Sequence, residues 1–186
     1  AEVTGTDAVS PLAWVAAHTT TINVGTAVMQ MTARAPTVTA QTAATLDLLT
    51  DGRMILGLGP SGPGVVEGWH GEAFGDPIQR AREYVDIVRA VLHRGRIDHR
   101  GDVYAIPVPG PDGHEGGRLM MRPRRRRLPV YLAAMGPRSV SLAYEIADGC
   151  IPIFYSPWRE DVFFGDVDTF GREDRVALAP FVPVAV

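Results

Sequence analysis

Hydrophobic positions along the chain follow two different periods, which predict helices and strands in alternation. Apolar residues three and four positions apart predict helices near residues 7–17, 36–50, 77–94 and 137–147. Continuous runs of apolar and β-branched residues predict strands near residues 21–29, 53–58, 129–134, 150–155 and 176–185. Because buried strands that alternate with helices are typical of parallel βα units, the pattern favours an α/β fold.

Proline and glycine set several of the predicted boundaries. Pro36 and Pro137 suit the first position of a helix, and Gly52 suits the left-handed residue that ends one. The periodic pattern breaks down over residues 96–127, which we interpret as a surface excursion with a short hairpin near residues 103–106.

Two architectures satisfy this order of elements: an open doubly wound sheet and a (β/α)8 barrel. In both, ligands bind at the carboxyl ends of the strands. The candidate chemistry therefore lies in the segments that follow strands, which are residues 29–36, 59–75, 135–137 and 156–158. We predict that the second of these, residues 59–75, is a glycine-rich loop.

The segment Gly57-Leu58-Gly59-Pro60-Ser61-Gly62 matches the glycine pattern of dinucleotide-binding folds. That pattern requires a helix that starts within it, whereas prolines crowd this loop and the next helix is predicted near Pro77. No acidic residue ends a second strand about 20 residues further on. A βα loop is therefore favoured over a nicotinamide site. Ser61 does not form a nucleophile elbow, because Pro63 stands where that motif needs glycine.

Met135-Gly136-Pro137 is a stronger candidate for binding an anion. A strand ends there, Gly136 lets a ligand come close to the backbone, and Pro137 starts a helix. The free N–H groups and the positive end of the helix dipole suit a phosphate. An ordinary turn between a strand and a helix is the alternative.

The remaining candidate side chains carry weaker signals. His70, in the loop Glu67-Gly68-Trp69-His70-Gly71, either contacts a ligand or stabilises its loop. The five histidines show no paired metal spacing, and we predict no metal site. The arginine run at residues 122–127 lacks interleaved aromatic residues, so we interpret it as a solvated loop and not as a nucleic-acid surface. Cys150 is interpreted as a small core residue.

Composition narrows the class of protein. The 186 residues are 46% hydrophobic and carry a formal net charge of −3, which indicates a soluble globular chain without a general attraction to nucleic acid or membrane. No apolar run approaches the ~20 residues that a membrane span needs. A single cysteine excludes an internal disulfide bond, which favours a cytoplasmic protein.

An ordered set of motifs resembles the luciferase-like monooxygenase superfamily, and within it the oxidoreductases that depend on the deazaflavin coenzyme F420. The resemblance covers nearly the whole chain. The motifs are residues 21–29 with Ala33-Arg34-Ala35-Pro36, residues 46–59, residues 61–63 with 66–71, Arg82-Glu83-Tyr84, residues 129–137, and Ala147-Asp148-Gly149 with Pro152-Ile153.

The resemblance implies a (β/α)8 TIM barrel, which decides between the two architectures. It also implies that only about strands three to seven of that barrel are present, because a complete one needs ~250 residues. We therefore expect residues 1–186 to form one partial domain with a curved, unclosed sheet.

The resemblance further implies roles for particular residues. The cofactor-binding set would be Thr26, Ala27, Val28, Ser61, Gly62, Ala134, Met135, Gly136 and Pro137. Within it, the segment around Ala27 would lie against the deazaflavin ring, with a cis peptide bond to Val28, and the backbone near Gly136 would hold the cofactor's phosphate. His70 and Glu67 are the catalytic candidates. We expect a cleft lined by Val28, Ser61, Met135 and Tyr155.

The resemblance leaves three functions open. The first is hydride transfer between F420 and an organic small molecule, and the second is an FMN-dependent monooxygenase that uses oxygen. The third is a non-catalytic flavin-binding or degenerate barrel. Sugar-phosphate dehydrogenases of this family carry a glutamate where this chain has Pro60 and use lysines, which this chain lacks, so that substrate is disfavoured. A homodimer of the full-length protein is a further expectation.

Overall fold

The structure, a computed structural model, describes residues 2–111, 113–125, 127–153, 155–159, 161 and 176–181. The helices are α1 (Val9–Ala17), α2 (Pro36–Leu49), α3 (Pro63–Gly68), α4 (Pro77–Leu92) and α5 (Pro137–Ile146), with a short 3-10 helix at Met31–Ala33. The strands are β1 (Val24–Gly25), β2 (Met29–Gln30), β3 (Met54–Gly59), β4 (His99–Arg100), β5 (Ala105–Ile106), β6 (Val130–Ala134), β7 (Gly149–Pro152) and β8 (Ala177–Leu178).

One parallel sheet organises the molecule. β1 and β2 both pair with β3, and the order then continues through β6 and β7 to β8. Every pairing in this sheet is parallel, as the alternation of strands and helices predicted. The sheet curls into half of a barrel, which confirms the expected fold class. Residues 182–185 of the last predicted strand lie outside the described residues.

The strand predicted over residues 21–29 is interrupted. β1 ends at Gly25 and β2 begins at Met29, because the hydroxyl of Thr26 bonds to the backbone of Gly57 on the neighbouring strand. The peptide bond between Ala27 and Val28 is cis, which confirms the expectation drawn from the resemblance. The prediction of one continuous strand is therefore wrong.

Helix boundaries follow the proline and glycine signals, with one exception. Pro36 and Pro137 occupy first positions of α2 and α5, and Gly52 has φ +83°, as predicted. The exception is the predicted loop 59–75, which contains α3. This short helix forms because Pro63 starts it and Val66 is fully buried against the core. The expectation that the next helix after Gly59 begins near Pro77 is wrong for the same reason.

The arginine run is an exposed loop, as predicted, except at Arg125. Arg122, Arg124 and Arg127 are exposed, and Arg124 and Arg127 pair with Asp51 and Asp148. Arg125 is half-buried and pairs with the fully buried Asp47. The composition of the run does not predict these ion pairs, because the aspartates lie in distant parts of the sequence.

A hairpin inside the predicted excursion forms a second, antiparallel sheet from β4 and β5. The carboxylate of Glu83 on α4 holds this hairpin, since it accepts N–H groups from Asp102, Val103 and Tyr104 at 2.8–3.2 Å. A Cβ on Gly101 would lie 2.1 Å from that carboxylate, so only glycine fits there.

The hydrophobic core lies between the sheet and the helices that cover it. α2, α4 and α5 supply most of its helical side chains, and β3, β6 and β7 supply the sheet side. Cys150 is buried in this core, as predicted, and burial raises the pKa of its thiol to about 11. Within the described ranges, no helix has the length and apolar character that crossing a membrane requires.

Candidate functional site

β2, β3 and β6 bring the sequence-predicted cofactor residues onto neighbouring strands of the sheet. β3 lies between the other two strands. Ser61 follows β3 and Met135 follows β6, whereas Val28 comes immediately before the two-residue strand β2. Parallel pairing therefore places three segments that are far apart in sequence next to one another.

The turn from Thr26 to Val28 packs tightly on β3. The Thr26 hydroxyl donates to the Gly57 carbonyl at 2.7 Å and accepts from the Gly57 N–H at 3.0 Å. A Cβ on Gly57 would lie 1.8 Å from the Thr26 carbonyl oxygen, and one on Gly59 would lie 2.6 Å from Val28 Cγ2. Both glycines therefore allow the turn to approach β3, while Ala27 stays exposed and Val28 is half-buried.

Ser61 and Gly62 form the exit from β3. Ser61 adopts φ +63°, and its hydroxyl accepts a hydrogen bond from the side-chain amide of Gln30 at 3.3 Å. Gln30 is itself a buried polar residue at the end of β2. A Cβ on Gly62 would meet nothing within 4 Å, so open space faces this position.

The two catalytic candidates are held by different groups. The Nδ1 atom of His70 lies 2.7 Å from the Thr32 hydroxyl, which ties its loop to the 3-10 helix after β2. Glu67 is exposed, and its carboxylate accepts the N–H of Phe74 at 3.3 Å. The structure does not pair Glu67 with His70. Glu67 therefore stabilises its own loop, whereas Nε2 of His70 has no hydrogen-bond partner among the described residues.

The predicted anion site, Met135-Gly136-Pro137, lies between a strand end and a helix start, as expected. Its backbone N–H donors already have hydrogen-bond partners. Ser139 Oγ accepts the N–H groups of Met135 and Gly136, each at 3.2 Å, and donates to the Gly136 carbonyl at 2.9 Å. The expectation that these two N–H groups are free is therefore wrong. Ala134 is buried, and Met135 is 67% exposed.

Sequence reasoning missed four residues near this edge: Gln30, Thr32, Arg138 and Ser139. Ser139 is the third residue of a helix that Pro137 starts, a position from which a hydroxyl can reach back to the preceding backbone. Arg138 is exposed in that first turn and forms no ion pair within the described part of the chain. A cation there opposes the helix dipole, which is a signal readable from the sequence.

The expected cleft lined by Val28, Ser61, Met135 and Tyr155 stays a prediction, since the three cavities described next are lined by other residues. A cavity of about 530 Å³ lies between α2, α4 and the excursion, and one of about 640 Å³ lies between residues 72–80 and the hairpin. A third, of about 80 Å³, lies behind the ends of β3 and β6 and includes Ala133 and Ser139. No cluster of metal-ligating side chains occurs among the described residues.

The amino-acid sequence matches a known family over its whole length. The sequence profile of the luciferase-like monooxygenases matches residues 1–186. The chain belongs to the luciferase-like monooxygenase family.

Relatives within this family divide by cofactor. A Mycobacterium tuberculosis protein is assigned by name to the coenzyme F420-dependent oxidoreductases. It is 48% identical to this chain over an alignment of 186 positions, which covers 94% of this chain and 54% of the relative. The chain therefore spans about half the length of that curated relative.

Two solved structures share the fold. One is the F420-dependent tetrahydromethanopterin reductase from Methanopyrus kandleri, with a TM-score of 0.66 and 24% identity over 80% of this chain and 44% of that one. The other is the oxygenating constituent of 3,6-diketocamphane monooxygenase from Pseudomonas putida in complex with FMN. It has a TM-score of 0.68 and 18% identity over 91% of this chain and 50% of that one.

Proposed function

We propose that this chain forms part of an oxidoreductase that transfers a hydride between coenzyme F420 and a small organic molecule. One observation carries the proposal: the Ala27–Val28 turn and β2 lie on one side of β3, and β6, which leads into the start of α5, lies on its other side. A flat ring with a phosphate-bearing side chain needs both an apolar surface and an anion site. The name of the Mycobacterium tuberculosis relative supports the choice of F420.

The residues present fit such a cofactor. Ala27 and Val28 offer an exposed apolar surface, and the open space around Gly62 and Gly136 leaves room for a ligand close to the backbone. The N–H groups of Met135 and Gly136 would bind the phosphate once the Ser139 hydroxyl turns away from them. Arg138 adds a positive charge in the same helical turn.

The cofactor, when bound, supplies the hydride chemistry, and the chain's own residues supply position and a proton. His70 is the proton-carrying group in this proposal. Thr32 fixes its Nδ1 atom, so Nε2 is left to exchange a proton with the substrate. Thr26 acts by holding the turn on β3, because its hydroxyl both donates to and accepts from Gly57.

The substrate class is narrowed by what the chain lacks. All 18 basic residues of the chain are arginine, so no lysine is available to bind a sugar phosphate. Pro60 stands in the loop after β3 where the sugar-phosphate dehydrogenases of the family carry a glutamate. We propose a small organic substrate other than a sugar phosphate.

A titration of the full-length protein with F420 and, separately, with FMN tests the cofactor. F420 absorbance and fluorescence change on binding, so a saturable change with F420 and none with FMN supports the proposal. Tight FMN binding together with oxygen consumption supports the second candidate, an FMN-dependent monooxygenase, which the FMN-bound structural neighbour favours. Binding of neither cofactor overturns both.

A further inference from the structure

We infer that Glu2 is a positioning residue for the candidate site: it fixes residues 30–34, and through them His70 and Ser61. The roles of these two residues rest on the proposed function, whereas the contacts do not. Glu2 lies outside all of the motifs that drew attention in the sequence. Its side chain is 6% exposed, which is unusual for a glutamate and calls for partners.

Glu2 holds residues 30–34 at both ends. Its Oε2 atom accepts the backbone N–H of Gln30 at 2.6 Å, and its Oε1 atom lies 2.6 Å from Nη1 of Arg34. Oε1 also accepts the N–H of Ala8 at 3.2 Å, at the beginning of α1. One carboxylate thus joins the segment before α1 to the end of β2 and to the residue after the 3-10 helix.

The held segment reaches the candidate site through two side chains. The amide of Gln30 donates to the Ser61 hydroxyl at 3.3 Å. The hydroxyl of Thr32 lies 2.7 Å from Nδ1 of His70. Gln30 is itself bonded to Glu2 through its N–H, and Thr32 lies two residues from both Gln30 and Arg34, so a shift at Glu2 is transmitted directly to both side chains.

The segment is also bonded to α4 through the backbone of Arg34. The carbonyl of Arg34 accepts the Tyr84 hydroxyl at 3.0 Å, and that hydroxyl lies 2.6 Å from Thr39 Oγ1. Tyr84 is fully buried on α4. Because both Tyr84 and Glu2 are bonded to residues 30–34, this segment can move only if one of these contacts breaks.

The contacts of Glu2 with Gln30 and Arg34 depend on its negative charge. A carboxylate accepts hydrogen bonds at both oxygens and balances the charge of Arg34, whereas a glutamine of the same shape loses the charge and one acceptor. Glu2→Gln therefore weakens the contacts to Gln30 and Arg34 without leaving a cavity. Arg34→Gln breaks the same pair from the other side.

Nitrogen NMR of the His70 ring tests the inference without any cofactor. In the wild type at a pH where the imidazole is neutral, the contact with Thr32 selects one tautomer, so the two ring nitrogens have well-separated shifts. In Glu2→Gln and in Arg34→Gln the His70 ring should sample both tautomers. We therefore expect the chemical shifts of its two nitrogens to move toward their common average. The control is Glu115→Gln, which removes an exposed carboxylate paired with Arg96 and leaves the shifts unchanged.

Turnover provides the second measurement. If His70 carries the proton, Glu2→Gln lowers kcat at least about tenfold while the substrate KM changes less than about twofold, because misplacement of a reacting group mainly slows the chemical step. His70 shifts that stay at their wild-type values in both folded variants overturn the inference. Failure of the wild type to bind F420 overturns the proposed function instead, and the NMR result then still decides the role of Glu2.

Discussion

Arg125 binds the fully buried carboxylate of Asp47 with both its side chain and its backbone. Nε and Nη2 of Arg125 lie 2.9 and 2.5 Å from Asp47 Oδ1, and the Arg125 N–H donates to Oδ2 at 3.2 Å. Nη2 also donates to the carbonyl of Met54, the first residue of β3. The excursion is thereby joined to the end of α2 and to the start of the central strand.

Removal of this arginine should destabilise the fold strongly. Arg125→Leu leaves the charge of Asp47 buried without its partner, and breaking one side of such a pair costs about 3–5 kcal/mol. Because the Arg125 side chain is 30% exposed, we expect the lower part of that range in the free energy of unfolding, measured with urea. Arg124→Leu is the control: its pair with Asp51 is exposed and should cost less than ~1 kcal/mol. Equal losses would contradict a special role for Arg125.

The hairpin contact of Glu83 should make stability depend on pH in the acid range. Burial of the carboxyl by itself raises the pKa of Glu83, whereas the hydrogen bonds it accepts lower it more strongly, to about 2. A lowered pKa stabilises the folded state above the ordinary value of 4.5, and this contribution is lost as the pH falls toward 2.

Urea unfolding between pH 7 and pH 2 measures this contribution. The wild type should lose about 3 kcal/mol more than Glu83→Gln over that interval, since the variant has no carboxylate to protonate. Glu115→Gln, whose carboxylate is exposed, should follow the wild-type curve. Parallel curves for the wild type and Glu83→Gln would show that the pKa of Glu83 is the same in the folded and unfolded states.

The buried hydroxyl of Thr26 should contribute to both stability and cofactor binding. Thr26→Val keeps the shape but leaves the N–H of Gly57 without its partner, which costs about 1–3 kcal/mol. Thermal unfolding measures the loss, and Thr26→Ser should recover most of it. Thr45→Val, which removes an exposed hydroxyl bonded to Gln41, should change little. A Thr26→Val protein as stable as the wild type would mean that the hydroxyl does not fix the turn.

Gly136→Val should weaken cofactor binding while leaving the fold nearly intact. Gly136 has φ −124° and a Cβ there meets no atom within 4 Å, so the free energy of unfolding should change by about 1 kcal/mol or less. A side chain would occupy the space that a phosphate needs beside the N–H groups. In the full-length protein we expect F420 affinity to fall at least ~10-fold, about 1.4 kcal/mol, by fluorescence titration.

Two controls decide what the Gly136 result means. Gly110→Val adds the same side chain in open space within the excursion and should leave affinity unchanged. A dephosphorylated form of the cofactor should bind the wild type and Gly136→Val equally. If both forms lose affinity to the same degree, Gly136 serves the shape of the turn and not the phosphate.

Local signals in the sequence predicted the elements that proline and glycine delimit. Pro36, Gly52 and Pro137 act through their own backbone preferences, so the boundaries they set needed no knowledge of distant residues. The cis bond after Ala27 came from the resemblance and not from any local preference of the residues.

Contacts between distant residues could not be predicted in the same way. The arginine run is polar in composition, yet Arg125 is 78 positions from the aspartate that it binds. His70 likewise depends on Thr32, which is 38 positions away. Both pairings exist only because the parallel sheet brings strand starts together and strand ends together.

The ion pairs of Arg125 and Arg127 lie where strands begin, whereas Ser61 and Met135 lie where strands end. The groups that hold the sheet together are therefore at the opposite edge from those that would meet a ligand. Substitutions of exposed side chains where the strands end leave these ion pairs untouched. Directed evolution of substrate preference would therefore start from exposed positions such as Met135, whose side chain makes none of the hydrogen bonds described above, and not from Thr26.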